Sequence, residues 1–548
     1  MTTSAMQPRP WHRLYPEGVP PEVGRPPAGV LTMFQQSLAR DAAAPCLHYF
    51  GRTLSRGEVD ALSERLGSGL AARGVVPGDR VAIALQNTPV FVLATVAAWK
   101  CGATVVPVNP MLRAPELKHV VEDSGCRVLL SHPEMADVVE QVRRSTHLEH
   151  VLWSRADDLA GDLPAPWGEQ AELAADAVLS ELALERPRVD APREQAPALL
   201  TYTSGTTGRS KGAVNSHRNL AYQAVVGRQW FDVQDGGVLA VAPLFHITGL
   251  GVHLALALAN GFPLVLTHRF DPATVAALCE RYRPSFVIGA ITAFIALMNS
   301  GVDRASLACL TSVFSGGAPV PEAVVQRYEA EFGTYIYNAY GLTESTSACI
   351  AVPKGVRAPV DPGSGALSIG VPLPGADVWV VDEQGERVDA GELGELVVRG
   401  PQVVAGYWQL PEESERAIPG GELHTGDVGF MNADGWVFLV DRKKDMIIAS
   451  GFKVWPREVE DVLYEHPAVE EAAVVGVPDD YRGETVHAYV TVQQGAEVTP
   501  AELQSHCRER LSAYKVPREV VLVTELPKTA TGKILRRDVR QQAARRDS

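Results

Sequence analysis

Along most of this chain, segments with the apolar pattern of strands alternate with segments that have the apolar pattern of helices. Short apolar runs such as Arg80–Leu85 and Thr104–Val108 are bounded by turn residues and predict buried strands. Longer segments such as Val90–Lys100 and Ala114–Ser124 follow these strands and are themselves predicted to be helices. Alternation of this kind is typical of βαβ units, so we expect mostly parallel sheets covered by helices.

The pattern changes towards the C-terminus. Asp377–Val381 and Gly394–Val398 read as short strands separated by glycine-containing turns, which favours a small antiparallel, barrel-like subdomain. A later helix, Pro456–Glu465, lies within an α+β pattern. We therefore predict an α/β protein with two domains. Residues 1–440 form a large N-terminal domain of stacked, mostly parallel sheets with the barrel-like subdomain, and residues 441–548 form a small, mobile α+β C-terminal domain with a hinge at its start.

Composition narrows the classes of partner. The chain has 50 Lys and Arg against 65 Asp and Glu, a formal net charge of −15. So acidic a surface argues against broad binding to nucleic acid or to an anionic membrane. The seven cysteines contain no Cys-x-x-Cys spacing, which favours reduced thiols and a cytoplasmic location.

One segment approaches the length of a membrane span without a charged residue. This segment, Ile247–Thr267, is interrupted by Asn260-Gly261 and by Pro263. We interpret it as a buried helix that ends near Ala259, followed by a strand at Leu264–Leu266. No integral membrane segment is expected.

The most informative segment is Thr201-Tyr-Thr-Ser-Gly-Thr-Thr-Gly-Arg-Ser-Lys-Gly212, which follows an apolar strand. Hydroxyl groups, glycines and one lysine in a turn can surround phosphate oxygens with donors. The candidate phosphate contacts are Thr203, Ser204, Gly205, Thr206, Thr207, Gly208 and Lys211. The spacing from Gly205 to Lys211 is not that of a Walker A loop, which argues against a P-loop kinase.

This segment closely resembles the phosphate loop of the adenylate-forming superfamily, which includes acyl-CoA synthetases, peptide-synthetase adenylation domains and luciferase. Further similar segments follow in the order that the superfamily requires. They are Ala242–Gly249, Ser315–Pro319, Asn338–Glu344, Thr425–Asp427, Asp441–Glu460 and Pro527–Arg536. The similarity spans roughly residues 30–540. Among the members of the superfamily, the sequence most resembles bacterial long- or medium-chain fatty acyl-CoA ligases.

The resemblance implies a role for residues in each segment. The nucleotide contacts that it implies, besides the phosphate loop, are Gly316, Gly317, Ala318, Pro319, Asn338, Ala339, Tyr340, Gly341, Thr343, Asp427 and Arg442. Glu344 is the implied ligand of Mg²⁺, a cation that prefers oxygen donors. Lys444 is the implied hinge, and Gly451 is expected beside the channel for coenzyme A. Lys533, Lys211, Thr343 and His246 are the implied catalytic residues.

The chemistry of these side chains agrees with such a reaction. A carboxylate is a poor electrophile, and forming a mixed anhydride with AMP activates it. Lysines, hydroxyls and Mg²⁺ placed where negative charge develops would stabilise that step. We therefore expect an ATP- and Mg²⁺-dependent acyl-CoA ligase that forms acyl-AMP, releases pyrophosphate and passes the acyl group to the thiol of coenzyme A.

Two departures from the usual motifs leave the acid open. Ser210 stands where relatives have proline before Lys211, and Ile291 replaces the proline of a loop beside the acyl pocket. An aryl or alicyclic acid of specialised metabolism is therefore one alternative, with coenzyme A, an amine or a carrier protein as acceptor. A degenerate acyl-adenylate-binding protein is a second. The sequence also leaves a homodimer open.

Overall fold

The structure is a computed structural model of the chain. It describes residues 9–24, 26, 28–164, 167, 177–182, 194–203, 209–363, 365–442, 445–449, 452–479, 483–529 and 532–546. The side chains of Arg442, Gly483 and residues 544–546 are not described.

The strands have the following bounds in chain order: β1 Pro45–Tyr49, β2 Arg52–Ser55, β3 Arg80–Ala84, β4 Thr104–Pro107, β5 Val128–Ser131, β6 His150–Trp153, β7 Pro197–Thr203, β8 Lys211–Ser216, β9 Val238–Ala240, β10 Leu264–Leu266, β11 Phe286–Gly289, β12 Ser312–Gly316, β13 Ile336–Leu342, β14 Ser347–Ala351, β15 Val371–Pro372, β16 Asp377–Val381, β17 Gly394–Arg399, β18 Leu423–Met431, β19 Val437–Arg442, β20 Ile447–Ala449, β21 Phe452–Val454, β22 Val469–Asp479, β23 Gly483–Val492 and β24 Glu519–Leu522.

The α-helices are α1 Val30–Arg40, α2 Arg56–Ala72, α3 Pro89–Lys100, α4 Ala114–Ser124, α5 Ala136–Arg143, α6 Val178–Leu182, α7 His217–Trp230, α8 Leu256–Asn260, α9 Pro272–Tyr282, α10 Ile291–Asn299, α11 Arg304–Leu307, α12 Glu322–Phe332, α13 Pro411–Ala417, α14 Pro456–Tyr464, α15 Pro500–Arg508 and α16 Arg536–Arg546. Short 3-10 helices span Pro10–Leu14, Pro133–Met135 and Pro419–Gly421, and a π-helix spans Gly249–Ala255.

Two large sheets form the body of the protein. One has nine strands in the order β15-β14-β13-β12-β11-β9-β10-β1-β2, and the other has six in the order β6-β5-β3-β4-β7-β8. The central strands of both sheets run parallel, and antiparallel pairs occur at their edges. Parallel neighbours need a crossover connection, and the helices between the strands provide it. The predicted α/β architecture is confirmed.

Helix α3 explains how these layers stay together. Every residue from Pro89 to Lys100 is buried, and the helix belongs to a core shared by both large sheets. Helix α2 packs against it at Gly67, where an added Cβ would lie 3.3 Å from the carbonyl oxygen of Ala97. Gly67 and Gly69 thus lie inside a helix, and this glycine pair serves helix packing.

The later part of the chain forms two smaller sheets. Strands β16 to β19 make an antiparallel four-stranded sheet, in the region where the sequence predicts a barrel-like subdomain. Strands β20 to β24 make a five-stranded sheet with its own buried core against α14 and α15. Asp441 and Arg442 still belong to the four-stranded sheet, and the next sheet begins at Ile447.

The long apolar segment is folded into the core. It forms the π-helix Gly249–Ala255 and helix α8, then strand β10. The helix-then-strand order predicted for Ile247–Thr267 is therefore confirmed. The π-helix at its start was not predicted. Within the described part of the chain, no helix has the length and apolar character that crossing a bilayer requires.

Candidate active site

The phosphate-loop segment is the connection of a β-hairpin. Strands β7 and β8 are antiparallel, and Thr203 lies directly opposite Lys211. Residues 204–208, which include the candidates Ser204, Gly205, Thr206, Thr207 and Gly208, lie outside the described residues. At Ser210, the carbonyl oxygen accepts a 2.8 Å hydrogen bond from Nε2 of His119. This contact gives the loop an anchor at the position where relatives have proline.

Asn215 joins this hairpin to the segment that carries Thr343. The side chain is completely buried. Its amide donates to the carbonyl oxygen of Thr343 at 3.1 Å and to Oγ1 of Thr346 at 2.9 Å, and its oxygen accepts from Thr201 at 3.1 Å. Thr346 has φ of +51°, an uncommon conformation for a β-branched residue. Asn215 therefore supports a strained turn next to the candidate catalytic segment.

The candidate adenine turn lies beside the candidate aromatic residue. Strands β12 and β13 run parallel, with Gly316 opposite Ala339. A Cβ atom on Gly316 would lie 2.5 Å from the carbonyl oxygen of Ala339. Asn338 is buried next to this pair and donates to the carbonyl oxygen of Ser368 at 3.4 Å. The close approach of the two strands thus requires glycine at position 316.

Tyr340 and Asp427 form a buried hydrogen bond. The tyrosine hydroxyl donates to Oδ2 of Asp427 at 2.6 Å. Burial and the charge of Asp427 raise the pKa of Tyr340 well above its ordinary value, so the phenol stays protonated. Arg442 is the cross-strand partner of Asp427 in the four-stranded sheet. The aromatic residue, the carboxylate and the arginine that were predicted from separate motifs therefore lie together.

Glu344 follows a β-bulge that redirects the chain. The register of β13 and β14 shifts between Tyr340 and Gly341, and a Cβ on Gly341 would lie 1.9 Å from the carbonyl oxygen of Ser347. Beyond the bulge, Oε1 of Glu344 accepts a 2.7 Å hydrogen bond from the hydroxyl of Tyr407. Among the described residues, no group of three or more His, Cys, Asp or Glu side chains gathers as a metal cluster.

Lys533 reaches the large domain from the C-terminal segment. A Cβ on Gly317, which has φ of +80°, would lie 2.8 Å from Cε of Lys533. The turn before the lysine is held from the large domain, because Oγ1 of Thr292 donates to the carbonyl oxygen of Gly532 at 3.2 Å. Within the turn, Thr529 accepts from the backbone N–H of Lys533 at 3.0 Å.

His246 is buried close enough to Lys533 to feel its charge. Burial, together with the charge of Lys533, lowers the pKa of His246 to about 3, so the imidazole is neutral at ordinary pH. Its Nδ1 accepts a 3.3 Å hydrogen bond from the backbone N–H of Thr248. The single ring proton is therefore on Nε2, which gives the site a neutral N–H donor.

Buried ion pairs hold the C-terminal domain in this position. Arg457 is 2% exposed, and its guanidinium donates to the carbonyl oxygen of Leu439 at 2.8 Å. Its backbone N–H donates to Oδ2 of Asp441 at 3.1 Å. Arg536 pairs with the other oxygen of Asp441 at 2.8 Å and with Glu460 at 2.6 Å. Asp441, near the end of strand β19, thus contacts both the start of helix α14 and the start of helix α16.

The contacts and strand registers above place most of the predicted residues in one region of the fold. They are Thr203, Lys211, His246, Gly316, Gly317, Asn338, Ala339, Tyr340, Gly341, Thr343, Glu344, Asp427, Arg442 and Lys533. Ala318 and Pro319 continue the turn after Gly317, with no side-chain contact that bears on their role. Lys444 and Gly451 lie outside the described residues.

Sequence reasoning missed four side chains that contact the candidate residues or the turn before Lys533, namely Asn215, Thr292, Tyr407 and Glu413. Asn215 lies four residues after Lys211, so its closeness to the phosphate loop was an available signal. The other three meet their partners only through the fold, since Tyr407 is 63 residues from Glu344 and Glu413 is 202 residues from Lys211.

Comparison with known proteins decides the family. The model of the AMP-binding enzyme family matches residues 34–408, and the model of its C-terminal domain matches residues 458–533. The chain belongs to the AMP-binding enzyme family. A long-chain-fatty-acid–CoA ligase of Bacillus subtilis is 33% identical over 96% of this chain and 97% of that protein. A feruloyl-CoA synthase of Amycolatopsis is 37% identical over 91% of this chain and 96% of that protein.

A solved structure of a CoA ligase supports the same fold. The anthranilate CoA ligase AuaEII, crystallised with anthranoyl-AMP, superposes with a TM-score of 0.84 over 94% of this chain and 97% of that one, at 28% identity. The predicted adenylate-forming fold and the predicted activity, AMP-forming acyl-CoA ligation with ATP and coenzyme A as substrates, are confirmed by these comparisons.

Proposed function

We propose that the cleft between the two large-domain sheets and the Lys533 turn is where this ligase forms acyl-AMP. The observation that carries the proposal is the position of Lys533. Its side chain packs against Gly317 and lies close enough to His246 to lower the pKa of that histidine. Lysine carries a compact, mobile charge. Placed here, it would neutralise the attacking carboxylate and the α-phosphate as the mixed anhydride forms.

The other residues of the cleft would bind the nucleotide. Lys211 and the loop before it would hold the outer phosphates, and Thr343 would donate to the α-phosphate. Asp427, with Tyr340 and Arg442 beside it, would accept hydrogen bonds from the ribose hydroxyls. The turn of Gly316 to Pro319, with Asn338, Ala339 and Gly341, would frame the adenine. The neutral His246 would donate from Nε2 towards the acyl side of the cleft.

Glu344 would hold Mg²⁺ together with the phosphates of ATP. Magnesium in nucleotide sites is bound by one or two carboxylates, phosphate oxygens and water. The carboxylate of Glu344, oriented by the hydroxyl of Tyr407, fits this requirement. When bound, the cation would reduce the charge repulsion between the triphosphate and the carboxylate of the acid.

The second half-reaction would use a different arrangement of the domains. We propose that residues 1–440 and 441–548 are the two moving parts and that Lys444 is the hinge whose backbone rotation reorients the small domain. Gly451 would then border the path of the coenzyme A thiol, where the lack of a side chain leaves room for it.

The acid has an apolar body. The segment around His246 is apolar and buried, with Val241, Phe245 and Ile247 at most 8% exposed. Ile291, the first residue of helix α10, is 4% exposed. The relatives include both a long-chain fatty acid ligase and a feruloyl-CoA synthase. We therefore propose a long- or medium-chain fatty acid, with an aryl acid as the second candidate because of Ile291.

A panel of carboxylic acids tests this function. Purified protein is incubated with ATP, Mg²⁺ and saturated fatty acids of increasing length, or with ferulic and benzoic acids. Pyrophosphate–ATP exchange reports adenylation, and mass spectrometry reports acyl-AMP and acyl-CoA separately. The proposal expects exchange and a thioester with at least one acid. Exchange that yields product only with an amine or a carrier protein would reassign the acceptor, and ATP binding without exchange would indicate a degenerate protein.

The setting of the enzyme is also part of the proposal. All seven cysteines are free thiols in the structure, which supports a reducing, cytoplasmic location. A homodimer is the simplest assembly to test, by light scattering of the purified chain.

A further inference from the structure

The segment Gly406–Ala417 contributes two side chains to the phosphate side of the cleft. Tyr407 donates its hydroxyl to Glu344, and its ring lies 5.4 Å from Nζ of Lys211. Glu413, on helix α13, forms an ion pair with the same Nζ of Lys211. The two groups proposed to act on the phosphates, Lys211 and Glu344, are therefore both held by one short segment.

The backbone fixes this segment against the phosphate-loop hairpin. The N–H of Trp408 donates to the carbonyl oxygen of Gly212 at 2.8 Å, and the N–H of Val214 donates to the carbonyl oxygen of Gly406 at 3.1 Å. Inside the segment, Oγ of Ser414 accepts from the N–H of Tyr407 at 2.8 Å. The position of Glu413 beside Lys211 thus follows from main-chain contacts as well as from the attraction of the charges.

Glu413 has a second cation at hand. Arg416, one helical turn further along α13, pairs with the same carboxylate. Both positive groups lower the pKa of Glu413, so its carboxylate is charged at neutral pH. If Lys211 turns away, Glu413 keeps a partner. Breaking the pair with Lys211 therefore does not leave the carboxylate of Glu413 unpaired, so the free-energy cost of releasing Lys211 is small.

We propose that Glu413 is an exchangeable counter-ion of Lys211. The ammonium group turns from this carboxylate to the outer phosphates when ATP binds, and it returns to the carboxylate as pyrophosphate leaves. Glu413 thereby weakens the binding of ATP and pyrophosphate and speeds product release. It is a positioning residue that acts through Lys211, and this inference rests on the proposed role of Lys211 in phosphate binding.

Neutralising the carboxylate tests the inference. ATP binding to the Glu413→Gln variant is measured by calorimetry without the acid, and pyrophosphate inhibition is measured in the acyl-CoA assay. We expect both to tighten by about 1.5- to fivefold, the range that partly exposed ion pairs give. The matched controls are Glu412→Gln and Glu415→Gln, which remove the same charge from exposed positions of the same helix.

Two further variants test the direction of the change in ATP affinity and whether it acts through Lys211. Arg416→Gln removes the competing cation, so Glu413 should hold Lys211 more firmly and ATP should bind more weakly. In a Lys211→Met background, Glu413→Gln should no longer change ATP affinity. Equal affinities for Glu413→Gln and its two controls, or an unchanged effect in the Lys211→Met background, would overturn the counter-ion role.

The outcome is distinguishable from a failure of the proposed function. The binding comparison needs only ATP and the protein, so it stands even if no acid in the panel is activated. Conversely, a protein that makes acyl-CoA normally but shows no difference between the three glutamate variants would retain its proposed function and lose this inference.

Discussion

The hydroxyl of Thr292 donates a hydrogen bond of 3.2 Å to the carbonyl oxygen of Gly532, the residue before Lys533. This contact joins the start of helix α10, in the large domain, to the turn that delivers the candidate catalytic lysine. An added Cβ at Gly532 would lie 2.5 Å from the same hydroxyl, and Gly532 has φ of +80°. The close approach of helix α10 and the Lys533 turn therefore depends on both Thr292 and Gly532.

Removing the Thr292 hydroxyl should slow adenylation. One hydrogen bond contributes about 0.5–1.5 kcal/mol, so Thr292→Val should lower the rate of pyrophosphate–ATP exchange by about two- to tenfold. The conversion of supplied acyl-AMP to acyl-CoA should change much less, because the contact belongs to the other domain arrangement. Thr292→Ser keeps the hydroxyl and serves as the control. An equal loss in both half-reactions would contradict this role.

Asn215 should matter for both stability and adenylation. Asn215→Ala leaves the buried hydroxyls of Thr201 and Thr346 without the partner described above, at a cost of about 1–3 kcal/mol. Denaturant unfolding measures this loss, and pyrophosphate–ATP exchange measures the effect on the Thr343 turn. Asn432→Ala, at a surface turn of the four-stranded sheet, gives a reference for losing an asparagine elsewhere. Unfolding free energies that match the wild type would show that Asn215 does not support the turn.

The buried arginine between the domains should favour adenylation over thioester formation. Arg457→Met removes the donor to the carbonyl oxygen of Leu439 while keeping much of the apolar side-chain volume. We expect slower acyl-AMP formation and an equal or faster reaction of supplied acyl-AMP with coenzyme A. Arg537→Met, whose side chain is 69% exposed, is the matched control. A uniform loss of both half-reactions in Arg457→Met would argue for a purely structural role.

His253 should make the protein less stable in mild acid. Burial lowers the pKa of His253 to about 4, whereas an unfolded histidine titrates near 6.5. Between these values the unfolded chain binds a proton that the folded chain does not, so stability falls as the pH drops from about 6.5 to about 4. The free energy of unfolding, relative to His253→Leu, should decrease by about 1–2 kcal/mol between pH 7 and pH 5. A difference that does not depend on pH would refute this.

Local sequence patterns predict the parts of this structure that local chemistry determines. The apolar strand that leads into the phosphate-loop segment, the parallel strands and the helix-then-strand order of Ile247–Thr267 all follow from apolar periodicity and from the placement of glycine and proline. The left-handed conformation of Thr346 and the π-helix Gly249–Ala255 do not, because both are imposed by packing. No local pattern marks either as exceptional.

The candidate site divides in the same way. Tyr340, Asp427 and Arg442 come from recognisable motifs; Tyr340 is hydrogen-bonded to Asp427, and Arg442 is the cross-strand partner of Asp427. The pairs Tyr407–Glu344 and Glu413–Lys211 depend on how the segment after β17 folds back on the hairpin. That path is decided by main-chain hydrogen bonds such as Trp408 to Gly212, which one sequence does not reveal.

We propose that Lys533 serves the first half-reaction from its position beside Gly317. The direct measurement compares Lys533→Ala with the wild type by mass spectrometry, in two assays with the best acid of the panel. With acid and ATP, the variant should form acyl-AMP about 100-fold more slowly or worse, as expected for the loss of one charge-stabilising group. With acyl-AMP and coenzyme A supplied, it should still form the thioester. Acyl-AMP formation at the wild-type rate would contradict the account.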